Sequence, residues 1–122
     1  MMTELDAQNV ISQHRGNAII VSPSELPMST NRELDMSYSC MSKASSLGLG
    51  LALAQPERKI MILEGDGALL MNLGSLMTIA NMAPPNLIHF VFQNGVYLTT
   101  GGHPIPAASK LSFATVARGA KG

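Results

Sequence analysis

Apolar residues recur at Leu5, Ala7, Val10 and Ile11, a rough helical spacing over residues 3–14 that ends near Gly16. The short unbroken run AIIV at 18–21 predicts a strand. Residues 22–39, SPSELPMSTNRELDMSYS, hold two prolines and many polar side chains and predict a long, partly irregular loop. Loops of that length in a compact domain are usually functional or mobile. From Ser42 to Ala54 the positions Ala44, Leu47, Leu51 and Ala54 mark a helix whose other faces are small, with Pro56 just past its end. KIMIL at 59–63 predicts a second, buried strand, and Leu69, Leu73, Leu76, Met77 and Ala80 share one face of a helix over 68–82 that Pro84 and Pro85 end. LIHFVF at 87–92 predicts a third strand, 101–106 a loop, and 111–118 the beginning of a last helix.

Strands that alternate with helices predict one α/β domain over residues 1–122, a three-layer α/β/α sandwich around a mostly parallel sheet. Ligands of such sheets sit beyond the carboxyl ends of the strands, where Ser22, Asp66 and Asn94 fall. The closing ATVARGAKG breaks off where another strand is expected, so the fold reads as C-terminally incomplete or as needing a partner along its sheet edge. With 46% hydrophobic and 13% charged residues the chain has the means for a buried core. Lys plus Arg and Asp plus Glu are both 8, a balance that excludes broad attraction to nucleic acid or an anionic membrane. Any bound anion must therefore be held locally. The single Cys40 forms no internal disulfide, the start lacks a leader pattern, and no apolar run reaches the ~18 residues of a membrane span. A soluble, cytoplasmic protein is expected.

The stretch EGDGALLMN at 64–72 admits three readings. Asp66 is a helix N-cap between two permissive glycines, just as the Asn-Gly of FQNGVY is the signature of a two-residue hairpin. Alternatively, GLGLALA at 48–54 is a dinucleotide phosphate loop with Glu64 as its ribose acid, although these glycines fall inside a helical pattern rather than after a strand. In the third reading Asp66 and Asn94 give oxygen donors to one hard cation such as Mg²⁺, which bridges a diphosphate lying across the strand ends. Gly67 and Ala68 then offer N–H groups to the same phosphates.

The segment GDGALLMNLGSLMTIANMAPPNLIHFVFQNGVY resembles the thiamine diphosphate motif, which opens on Gly-Asp-Gly and ends about thirty residues later with an asparagine at a strand end. With CMSKASSLGLGLALAQPERKIMILEGDG upstream and NGVYLTTGGHPIP downstream, the chain is similar over roughly residues 17–120 to the thiamine-binding (PP) half of thiamine diphosphate-dependent 2-oxo acid decarboxylases. Sulfopyruvate and phosphonopyruvate decarboxylases are nearest, and acetolactate synthase-like carboligases are more distant. The resemblance implies metal binding by Asp66, Asn94 and the carbonyl of Val96. It further implies cofactor contacts from Gly65, Asp66, Gly67, Ala68, Asn94, Val96 and Tyr97, with Met41 beside the cofactor, Ser22 near the diphosphate and His103 facing substrate. Ser39 and Ser42 stand where the family has glycines, Gln93 where it has Asn or Asp, and Lys43 where an apolar residue is common. His14 and His89 read as structural or exposed.

The same resemblance implies that the cofactor carries the chemistry, adding to the carbonyl of a 2-oxo acid and accepting the electrons released with carbon dioxide. Cofactor activation in the family depends on a glutamate of a separate pyrimidine-binding domain. Glu4, Glu25, Glu33, Glu57 and Glu64 have no matching context, so the chain is expected to be one subunit of a hetero-oligomeric lyase whose alpha-type partner brings that glutamate. The opposing expectation is a thiamine diphosphate-binding or structural partner without catalysis.

Overall fold

The computed structural model describes residues 1–23, 33–38 and 40–121, so that Glu25 and Ser39 lie outside the described residues. The apolar runs become strands β1 (Ile19–Pro23), β3 (Ile60–Gly65) and β4 (Leu87–Phe92), joined by a short β2 (Met36–Tyr38). Among the described residues the sheet order is β2-β1-β3-β4, with every neighbouring pair parallel. All of β1 is buried and β3 is buried through Glu64, as strands packed on both faces must be.

The helices are α1 (Glu4–His14), α2 (Ala44–Ala54), α3 (Asp66–Leu70), α4 (Ser75–Met82) and α5 (Phe113–Ala120). Ile11 of α1 packs with Ile20, Met61 and Leu63 on one face of the sheet. On the other face Ala44 and Ala52 of α2 meet Ile19, Val21, Ile60 and Ile62. A third cluster of Leu69, Leu76, Ile105 and Phe113 joins α3, α4 and α5. The result is the three-layer parallel α/β fold that the alternation predicts. No helix of the described residues is long and apolar enough to cross a membrane.

Gly48 and Gly50 lie inside α2, far from the role of a phosphate loop. A Cβ on Gly48 would stand 2.3 Å from Ile62 Cγ1, so this glycine is what lets α2 lie directly on β3. Three expectations need correction. Residues 36–38, within the expected loop, form β2, because pairing with β1 supplies order that the local sequence does not. The helix expected over 68–82 starts at Asp66 and divides into α3 and α4. The intervening turn is closed by i→i−3 bonds, from the N–H of Asn72 to Leu69 and of Ser75 to Asn72, the tighter pattern of a 3₁₀ turn. The expected loop at 101–106 contains a two-residue strand, His103–Pro104.

A buried ion pair secures β2. Arg15 and Asp35 have side chains 1% and 5% exposed and meet in a bidentate pair, Arg15 Nη1 lying 2.7 Å from Asp35 Oδ2. Asp35 Oδ1 also accepts the Ile20 N–H at 2.9 Å, and Arg15 Nη2 donates to the Ala18 carbonyl at 2.6 Å. Removing one member takes the bidentate partner from the other buried charge. Asp35→Ala is expected to destabilise the fold by about 3–5 kcal/mol, measured by urea denaturation.

Entry into α2 is made by Ser42 at φ 72, a left-handed conformation that costs a non-glycine residue roughly 1–2 kcal/mol. Asn72 Nδ2 donates to the Ser42 carbonyl at 3.0 Å and to Ser46 Oγ at 3.2 Å, holding the turn in place. Serine thus occupies a backbone conformation that suits glycine. Ser42→Gly is expected to raise stability by up to about 1 kcal/mol, after the greater chain entropy of glycine is offset, with the gain read as a higher denaturation midpoint.

Candidate functional site

The parallel pairing of β3 with β4 runs from Ile60↔Leu87 to Gly65↔Phe92, so both strands end at the same height. Asp66 follows directly as the first residue of α3, behind an extended Gly65 (φ −78, ψ 159). It is fully buried. Its Oδ1 accepts the N–H of Gly67 at 2.9 Å, and its Oδ2 accepts the N–H of Gly95 at 2.8 Å. Asp66 is therefore not the N-cap, a place that falls to Gly65, and its carboxylate instead ties the β3–α3 turn to the loop after β4.

That loop turns through Gly95 at φ 76, where a side chain would be strained. Asn94 Oδ1 accepts the Val96 N–H at 3.0 Å. β5 (Val96–Tyr97) pairs antiparallel with β6 (His103–Pro104), and a 3₁₀ turn (Leu98–Thr100) lies between them. β4 does not fold back on residues 96–100, so the Asn-Gly pair is a strand exit and not a hairpin tip.

A cavity of about 100 Å³ opens at these strand ends. Of the residues singled out in the sequence, Met41, Gly65, Gly67, Ala68, Asn94, Val96 and Tyr97 line it. Asp66 lies buried between the lining glycines. Ser22 is buried in β1, and its neighbour Pro23 reaches the cavity instead. His103 is exposed on β6, opposite Tyr97 and outside the lining. The Gly67 N–H is taken by Asp66, which leaves it less available to a phosphate than expected. Sequence reasoning missed Glu4, Leu98 and Thr99, which also line the cavity. Glu4 belongs to the first turn of α1, and no local signal connects that helix end to a motif some sixty residues on.

The residues fit a hard cation shared with an anionic ligand. Asp66, Asn94 and the Val96 carbonyl are all oxygen donors, the type that Mg²⁺ takes. Each carboxylate oxygen has a second lone pair beyond the one facing an N–H group. Among the described residues no group of three His, Cys, Asp or Glu could hold a metal alone, so ligand oxygens would have to complete the shell. Among the described residues no Lys or Arg lines the cavity. The floor is shaped by closeness: a Cβ on Gly67 would stand 2.7 Å from Tyr97 Cδ1.

A larger groove of about 650 Å³ runs between α4, α5 and β4, lined mainly by apolar residues such as Leu76, Ile79, Val91 and Phe113. Among the described residues it gathers no comparable set of oxygen donors, and the smaller cavity is the better candidate on chemistry.

Residues 13–120 match the family profile described as thiamine pyrophosphate enzyme, C-terminal TPP binding domain. The chain is 56% identical over 61 residues to the sulfopyruvate decarboxylase subunit beta of Methanothermobacter thermautotrophicus, which covers 50% of this chain and 32% of the relative. It is 43% identical over 79 residues to the same subunit of Methanocaldococcus jannaschii, 65% of this chain and 42% of the relative. It is 50% identical over 62 residues to a phosphonopyruvate decarboxylase of Streptomyces hygroscopicus, 51% of this chain and 15% of the relative. The chain thus matches less than half the length of each of these curated relatives. By the extent of the profile match, the chain belongs to the family of C-terminal TPP-binding domains of thiamine pyrophosphate enzymes.

Proposed function

We propose that the chain is the thiamine diphosphate- and Mg²⁺-binding subunit of a hetero-oligomeric 2-oxo acid decarboxylase, acting on a sulfopyruvate- or phosphonopyruvate-like substrate. The observation that carries this reading is the convergence of Asp66, Asn94 and Val96 at one sheet edge, beside a cavity that no basic side chain lines among the described residues. A diphosphate there needs a cation to offset its charge, and these three residues are oxygen donors suited to one. The names of the relatives point to the substrate class.

Thiamine diphosphate, when bound, supplies a nucleophilic carbon and an electron sink for the loss of carbon dioxide. The chain's own part is binding and orientation. Asp66 and Asn94 hold the cation, with Asp66 fixed in direction by the Gly67 and Gly95 N–H groups. Tyr97 closes over Gly67, and Met41 and Leu98 add apolar wall. A cavity of about 100 Å³ is well short of the roughly 300–1,000 Å³ that encloses a whole ligand of cofactor size. The remainder of the cofactor would lie against a second surface, which suits a partner subunit carrying the activating glutamate.

Calorimetric titration of thiamine diphosphate, with and without Mg²⁺, into the chain alone and mixed with a candidate pyrimidine-domain partner tests the reading. Binding is expected to require Mg²⁺, to be lost in Asp66→Ala, and to weaken in Gly67→Ala, where the new methyl displaces the Tyr97 ring. Binding indifferent to both Mg²⁺ and Asp66→Ala would refute it. Carbon dioxide release from sulfopyruvate or phosphonopyruvate by the mixture is the expected activity; cofactor binding without turnover would favour a non-catalytic partner subunit.

A further inference from the structure

A second polar link crosses β3 and β4 just below the candidate site. Glu64, the residue before Gly65 and Asp66, is fully buried in β3. Its Oε1 accepts from His89 Nε2 of β4 at 2.7 Å, and the His89 side chain is 13% exposed. The other oxygen, Oε2, is buried with no hydrogen-bond partner among the described residues. His89 is thus the group that sets the direction of this carboxylate.

Stability does not account for the pair. A buried polar pair in which one carboxyl oxygen has no partner gains little over well-packed apolar side chains of similar volume, and replacing such pairs is often neutral or stabilising. Its position suggests another use. Glu64 pairs in register with Val91 and Gly65 with Phe92, so His89 lies two residues before the rung of Glu64, and the bond between them runs diagonally across the last rungs. A diagonal bond resists sliding of one strand along the other, which rungs alone resist less. Just beyond it, Asp66 Oδ2 meets the Gly95 N–H at 2.8 Å. Any slip of β3 against β4 would change that distance and the spacing of Asp66 from Asn94.

We propose that Glu64 and His89 are positioning residues of the cofactor site, a cross-strand brace that fixes the height of Asp66 against the Asn94–Val96 loop. The inference rests on the cofactor reading above and deepens it. Groups that orient metal ligands from behind typically change metal affinity about 10- to 100-fold when removed.

The test uses the full chain, alone and with its candidate partner, and follows two readouts: binding of Mn²⁺ with thiamine diphosphate, and the thermal midpoint. The double variant Glu64→Leu/His89→Leu is expected to melt at or above the wild-type temperature and to bind Mn²⁺ with thiamine diphosphate about tenfold or more weakly. Glu64→Gln, which keeps an oxygen for the His89 N–H, is expected to recover most of the affinity. Unchanged affinity in the double variant overturns the proposal, as does failure of that variant to fold, since the pair would then serve the fold itself. Equal losses in Glu64→Gln and the double variant overturn it too, by assigning the effect to charge. A wild-type chain that binds no cofactor overturns both readings; a wild type that binds, loses binding in Asp66→Ala and is indifferent to the double variant overturns only this one.

Discussion

The parallel register of β3 and β4 is the constraint on which the candidate site depends. Six successive rungs bring the two strand ends level, and the two chain segments that leave them carry the carboxylate of Asp66 and the loop through Gly95. The Asp66 carboxylate then joins those segments by accepting an N–H from each. In an antiparallel arrangement one strand would end where the other begins, and the same residues would lie on opposite edges of the sheet. Topology therefore does what sequence proximity cannot, placing groups nearly thirty residues apart on the wall and floor of one cavity.

The electrostatics follow from how little charge the chain has. Its formal charge is zero, and the cavity offers the Glu4 carboxylate, a buried carboxylate nearby, an amide and backbone groups, without a cationic side chain among the described residues. On the proposed reading, cation and diphosphate each create the conditions for the other. Affinities linked in that way are reciprocal, so whatever factor the metal adds to cofactor binding the cofactor adds to metal binding.

Much of the frame was legible because its signals are local. The runs at 18–21, 59–63 and 87–92 and the helical spacings before and between them needed no tertiary knowledge. β2 was not legible, since Met36–Tyr38 owes its order to pairing with β1 and to the Asp35 carboxylate on the Ile20 N–H. The break between α3 and α4 was hidden by an apolar pattern that continues through it. Asn72 directs its side chain to the Ser42 carbonyl and Ser46 Oγ, tertiary bonds that no local pattern announces. For the site, the spacing from Asp66 to Asn94 was readable, while the contribution of Glu4 depended on how α1 docks. Glu64 and His89 were each visible as residues but not as a pair.

Tyr97 lies against Gly67 so closely that a single methyl group would collide with its ring. The chain contains two tyrosines and no tryptophan. One of its two phenol chromophores thus forms part of the wall of the candidate site, and the tyrosine bands of the near-ultraviolet spectrum carry the state of that wall against a background of one other phenol. The molecule holds its own optical probe, placed by the same close packing that gives the cavity its shape.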